Sequence, residues 1–213
     1  MALKKLDIGT ELGRGWNLFK ENMGVLIVAS LIATLVSAVT CGILGGALTA
    51  GMFLIVQRLM RKDPIAPQAG DVFKGFDFFV QALILVVLAI VAACLLAVIP
   101  VVGQLAGLAV GAVMMWAMLF LVYQKLSAID AVKKVFEYTK TGEFTMPLIF
   151  ALIANVISGL GAIACVVGVF FTIPIAYCML ACGYETLFGG EAEAISPEVN
   201  VAPPSEPPAD LRL

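Results

Sequence analysis

The sequence predicts an all-α fold, an integral membrane helical bundle of about six transmembrane helices arranged as three tandem hairpin repeats with short interfacial helices. Three observations lead there. Of 213 residues, 62% are hydrophobic and 13% charged, against roughly 45–50% and 25% in soluble domains. The charges are confined to narrow segments, which leaves residues 24–57, 78–124 and 144–184 without Asp, Glu, Lys, Arg or His. A short pattern near the N terminus recurs about 60 residues later.

The length of the charge-free runs sets the helix count. One crossing of a ~30 Å hydrocarbon core takes about 20 residues. Each run is therefore too long for one span and suits two, the first only with short helices or helices that overlap the interface. Lipid leaves no partner for an open sheet edge, and the alternation expected of a barrel is missing, so the spans are expected to be helices.

The chain opens with residues 1–23, whose Asp7 and Glu11 interrupt the apolar core that a cleavable signal would need. The first span is expected to act as an uncleaved anchor. If each run goes out and back, all charged segments share one side. Lys4, Lys5, Arg14 and Lys20 precede the first hairpin, Arg58, Arg61, Lys62 and Lys74 the second, and Lys125, Lys133, Lys134 and Lys140 the third. The expected tips, Cys41–Gly46, Pro100–Gln104 and Gly159–Cys165, carry no cation. That asymmetry predicts a multi-pass protein of the cytoplasmic (inner) membrane with both termini cytoplasmic.

The recurring pattern divides residues 1–189 into repeats at about 7–66, 67–126 and 127–189. A shift of 60 lays Glu11–Phe19 on Asp71–Phe79, with only Gly13 against Phe73 failing to match. A second shift keeps Val132, Lys134, Phe136, Glu137 and Tyr138 but replaces Gly75 by Val135. The copies run in one direction, unlike the inverted repeats of many transporters. Each leading segment places apolar residues at helical spacing and pairs a cation with an aromatic: Arg14 with Trp16, Lys74 with Phe76, Lys134 with Phe136. These six residues form an expected rim at the membrane interface, on helices that either lie in the headgroup layer or overhang the first span of each hairpin.

Within the hairpins, Gly42 and Gly46 in the first unit and Gly103, Gly107 and Gly111 in the second stand four residues apart. Small residues at this spacing let helix backbones approach closely. The third unit instead has Pro174, where its last helix is expected to bend. Asn155 is the most conspicuous polar residue at depth, either a helix-to-helix hydrogen bond or an intramembrane polar site. Trp116 lies well inside a charge-free run, where its indole N–H needs an acceptor unless the ring lines a cavity. Residues 190–213 hold five of the ten prolines and five acids, the composition of a disordered cytoplasmic tail.

Chemistry is sparsely represented. No histidine and a net charge of −2 argue against metal sites, general-base catalysis and nucleic-acid binding. No cofactor pattern is present. The five cysteines form no Cys-x-x-Cys pair and read as small apolar residues, although Cys41 and Cys165, both near outer tips, could be bonded in an oxidising exterior. The partners left are membrane lipids, other proteins or further copies of the chain.

The acid-x-x-base-Gly-aromatic pattern at Glu11–Trp16 and Asp71–Phe76, with the ending Ala162–Pro174 and Tyr184–Gly189, resembles a family of polytopic prokaryotic membrane proteins. That family is similar to the membrane domain found with some glycerophosphodiester phosphodiesterases. The resemblance covers roughly residues 7–189. It implies a six-helix membrane module and carries over no catalytic residue, because the soluble phosphodiesterase domain has no counterpart in these positions. The expected function is a non-enzymatic membrane module that interacts with lipids or partner proteins; the alternative is a passive transporter or channel for an uncharged or amphiphilic solute.

Overall fold

The computed structural model describes residues 6–96, 100–140, 144–163 and 165–195. Among them every regular element is helical. Helix α1 (Ile8–Glu21) is followed by α2 (Met23–Val39) and α3 (Gly45–Arg61). A 3-10 segment (Ala69–Phe78) leads into α4 (Phe79–Leu96) and α5 (Pro100–Gln124). Helix α6 (Ala128–Lys140) precedes α7 (Thr145–Ile163) and α8 (Cys165–Ile195). The order of one charged leader and two apolar helices thus occurs three times.

Local chemistry accounts for the boundaries. Asp7 caps α1 by accepting from the Gly9 N–H and from the Thr10 hydroxyl, which satisfies donors that the first helical turn leaves open. Gln68 and Asp71 form a reciprocal capping box at the start of the 3-10 segment. The charged ends of α3 and α5 stop at Lys62 and Lys125, both in the left-handed conformation (φ 51° and 53°) that often terminates a helix.

Three helices are long and apolar enough to cross a membrane: Ala69–Leu96, Gly107–Gln124 and Phe170–Gly189. The pair α1 and α2 makes a fourth if it is counted as one broken span, and Thr145–Gly159 is a shorter apolar helix. Helices α2 and α3 have 17 residues each, a length of about 26 Å, just short of the hydrocarbon thickness.

Several boundaries depart from the sequence expectation. Residues Pro100–Gln104 belong to the first turns of α5 and not to a tip, since proline is well suited to the first helical position, where no N–H is needed. Helix α7 runs through Gly159 to Ile163. At the other end α8 continues to Ile195, six residues into the expected tail. The Glu191–Ala194 stretch is made of good helix formers, and the first proline of the tail is Pro197. The remainder, 196–213, lies outside the described residues.

The leaders differ in how they join the helix that follows. Helix α1 turns into α2 through 90°, so it lies across the bundle axis. The 3-10 segment instead runs on without a break into α4, as an overhang would.

Packing is cyclic. The second helices of the three units, α3, α5 and α8, contact one another in the middle. There the Tyr123 hydroxyl donates to the Phe53 carbonyl at 3.2 Å, and Tyr123 meets Phe53 and Tyr184 edge-on. The first helices lie outside, each against its own unit's second helix and the preceding one: α4 on α5 and α3, α7 on α8 and α5, α2 on α3 and α8. The leaders follow the same rule. The 3-10 segment packs on α3, α6 on α5, and α1 closes the ring on α8.

Small residues make the leader contacts possible in the first two cases. A Cβ added at Gly15 would stand 2.6 Å from the Met179 Cα. One at Gly75 would meet the Ala47 carbonyl, and one at Gly51 the Val72 carbonyl, well inside contact distance. In the third leader Val135 occupies the equivalent place and is fully buried, so a side chain fills the contact that glycine leaves open in the other two.

The bend expected at Pro174 carries its own compensation. Proline removes the N–H that would bond the carbonyl four residues back, here that of Phe170. The Ser30 hydroxyl of α2 takes that place, donating toward the Phe170 carbonyl at 3.1 Å as well as toward Ile27 at 3.0 Å. In lipid, such a carbonyl has no water to turn to.

Candidate functional site

The six rim residues divide by chemistry. Trp16, Phe76 and Phe136 are exposed, at 44%, 37% and 53%, as interfacial aromatics should be. Of their cations, Arg14 and Lys134 tie neighbouring helices together, while Lys74 pairs within its own segment. Arg14 of α1 bonds Glu185 at 3.0 Å and Thr186 at 2.8 Å on α8, beside the buried Glu11, which accepts from the Thr186 hydroxyl at 2.8 Å. In the second unit Asp71 receives Lys74 at 2.9 Å and, from α3, Arg58 at 2.7 Å. In the third the acid is replaced by Ala131, and Lys134 donates to Gln124 of α5 at 2.6 Å while standing over the Phe120 and Tyr138 rings. Each latch ties a leader to the preceding second helix.

The expected packing glycines also separate. Gly46 lies against α4, where an added Cβ would stand 2.9 Å from Val86 and 3.1 Å from the Ala82 carbonyl. Gly42 is a turn residue with φ +83°, a conformation glycine adopts at no steric cost. Gly107 faces open space, and Gly111 faces Asn155 at 3.6 Å; the surroundings of Gly103 lie outside the described residues. The tightest approaches, at Gly15, Gly51 and Gly75, fall elsewhere. Sequence spacing missed them because each depends on a surface brought from another unit.

Asn155 is half-buried on α7, its amide donating to the Ala151 carbonyl of its own helix at 3.1 Å. This is helix-to-helix packing against Gly111 with the polar group satisfied locally. Trp116 is fully buried and its indole N–H donates to the Pro147 carbonyl at 2.9 Å, which supplies the acceptor its depth requires. Cys41 is free and exposed, and the side chain of Cys165 lies outside the described residues.

Two cavities lie along the seam where α8 meets the first unit. One, of about 440 Å³, opens at the charged end between α1, the end of α3 with its following loop, and α8. Its walls carry Arg14, Arg58 and Lys62 against Glu21, Asp63 and Glu185, with Asn17, Asn22, Leu59 and Met60 between them. The other, of about 270 Å³, lies deeper between α2, α3 and α8, and is lined by the hydroxyl residues Ser30, Thr34, Ser37, Thr49 and Tyr177 among apolar ones. Asn155 lines neither.

The charged cleft exists because the units are unequal. Residues 62–68 link α3 to the 3-10 segment, whereas only Lys125–Ser127 link α5 to α6. The longer loop is anchored by Arg58, which donates to Asp63 at 3.0 Å and to the Ile65 carbonyl at 3.3 Å, and it forms one wall of the cleft through Ala66 and Pro67. No group of three potential metal ligands occurs among the described residues. No protein-family model matches the chain, and neither curated proteins nor solved structures yield a match.

Proposed function

We propose that this chain is a non-enzymatic, six-span module of the cytoplasmic membrane, with both termini cytoplasmic, that holds lipid at its charged face. The observation that carries the reading is the placement of the 440 Å³ cleft among the latches of the charged end, beside leaders whose aromatics point outward. A cleft of this size falls within the range of small-ligand sites, and it opens at the charged end of the bundle, the end that the proposed orientation puts at the headgroups. The three-fold order of leader and helix pair supports three hairpins.

Two experiments test it. In a cysteine-free background, a single cysteine restored at 41 should react with an impermeant maleimide from outside intact cells, while one placed at Phe136 should react only after lysis; the reverse pattern refutes the orientation. Native mass spectrometry of protein extracted with its own membrane lipids should then record lipid that survives rising collision energy. A bare chain, or one retaining only protein, refutes lipid holding and points to a scaffold for partner proteins or further copies.

The hydroxyl-lined cavity of 270 Å³ favours a second reading, passive passage of an uncharged or amphiphilic solute along the α3 and α8 seam. Liposomes containing the protein should then leak such a solute faster than empty ones. Equal rates for small polyols and for amphiphiles remove this reading.

A further inference from the structure

The charges on the cleft wall are not equivalent. Arg14 is taken up by Glu11, Glu185 and Thr186, and Arg58 by Asp63, Asp71 and the Ile65 carbonyl. Those pairs also consume Asp63 and Glu185. Two lining charges remain without an ion pair among the described residues, the cation Lys62 and the anion Glu21. They come from different walls, Lys62 from the left-handed end of α3 and Glu21 from the end of α1. The wall as a whole is electrically balanced, and the apolar Leu18, Leu59 and Met60 complete it.

A pocket that offers one unspent charge of each sign discriminates against ions of a single sign. An anion at Lys62 or a cation at Glu21 meets a lining charge of its own sign in the same cleft and pays that repulsion. A ligand that carries both charges a few ångströms apart satisfies both walls at once. We infer that the cleft between α1, the end of α3 and α8 binds the zwitterionic headgroup of a phospholipid, its phosphate toward Lys62 and its primary ammonium toward Glu21. The side-chain amide of Asn17, without a hydrogen bond among the described residues, and the carbonyl oxygen of the Asn22 side chain add hydrogen-bonding groups to the lining. A primary ammonium, with three donors, matches this carboxylate and amide wall; a quaternary one offers none. The inference rests on the lipid-holding reading above and names its substrate class.

The experiment uses the full chain in nanodiscs of phosphatidylethanolamine, phosphatidylcholine or phosphatidylglycerol, released for native mass spectrometry, with Lys62→Gln, Glu21→Gln and the exchange E21K/K62E. Both positions are exposed, so the variants should fold, which a thermal melt checks. Phosphatidylethanolamine should be retained most. Lys62→Gln should lower its retention by about tenfold, the scale of one charge-assisted contact. Glu21→Gln should lower it likewise while raising retention of phosphatidylglycerol, and the exchange should recover part of the zwitterion binding. If lipid is retained with no headgroup preference and no effect of either substitution, the assignment of this cleft falls while lipid holding stands. If no lipid of any class is retained, lipid holding itself falls. Soluble phosphoethanolamine is added as a competitor; displacement at equal concentration by this tail-free molecule overturns the lipid as the source of the headgroup.

Discussion

Removing the hydroxyl of Ser30 tests how Pro174 is tolerated inside α8. Ser30 is 1% exposed, and its hydroxyl stands 3.1 Å from the Phe170 carbonyl, whose helical donor Pro174 lacks. Ser30→Ala leaves that carbonyl without either donor. Hydrogen bonds between membrane helices average about 0.6 kcal/mol with a maximum near 1.7; an orphaned carbonyl with no water at hand belongs at the upper end, about 1.5 kcal/mol. Pro174→Ala supplies an N–H four residues after Phe170 and makes the serine redundant. In that background Ser30→Ala should cost at most about 0.5 kcal/mol, so the two substitutions should couple by about 1 kcal/mol, well above the ~0.3–0.5 kcal/mol scatter of independent sites. Unfolding of the four proteins of the cycle in one mild detergent, followed by fluorescence, reads this directly. An equal loss in both backgrounds would show that Ser30 serves its own helix through Ile27 and that the proline is accommodated in some other way.

Three further outcomes follow from the packing. Gly15→Ala should destabilise by about 1–3 kcal/mol, because the new methyl must displace the Met179 backbone, whereas Gly13→Ala, with nothing within 4 Å, should gain about 0.5–1 kcal/mol from helix propensity; equal melting temperatures would unseat α1 from α8. Lys125→Gly should stabilise by about 0.5–1 kcal/mol, since glycine relieves the left-handed strain at φ 53°, and a lowered melting midpoint would refute the relief. The Thr10 hydroxyl and then the Gly9 N–H hold the Asp7 carboxyl below its ordinary 3.8. Its contribution to α1 is therefore complete above that pH and fades as pH falls through the lower folded value. Hydrogen exchange of the first turn of α1 should accelerate on acidification below pH 4 beyond the intrinsic trend in the native chain and not in Asp7→Asn, and identical profiles would remove the cap.

The rim illustrates how far local reading reaches. Pairing of cation and aromatic was visible from spacing, and the aromatics are exposed. The spacing did not reveal that Arg14 and Lys134 turn inward to α8 and α5, because their partners Glu185 and Gln124 belong to other units. Lys62 and Glu21 carry no pattern of their own; they stand out only once every other charge of the cleft has found a partner. Nor could the glycine spacing within a hairpin identify Gly15, Gly51 and Gly75, whose close neighbours lie on Met179, Val72 and Ala47.

By itself the sequence determined the helical class and the presence of several helices apolar enough to cross a membrane. Those properties depend on hydrogen bonds and side-chain hydrophobicity within a single segment, and so they are written locally. The tertiary structure alone decided that each leader packs on the preceding unit, that α1 closes the ring on α8, and that the cavities open along that closing seam. Apolar helices in lipid gain little from hydrophobicity when they choose among one another, so the choice is made by steric fit and a few polar latches between residues far apart in the chain.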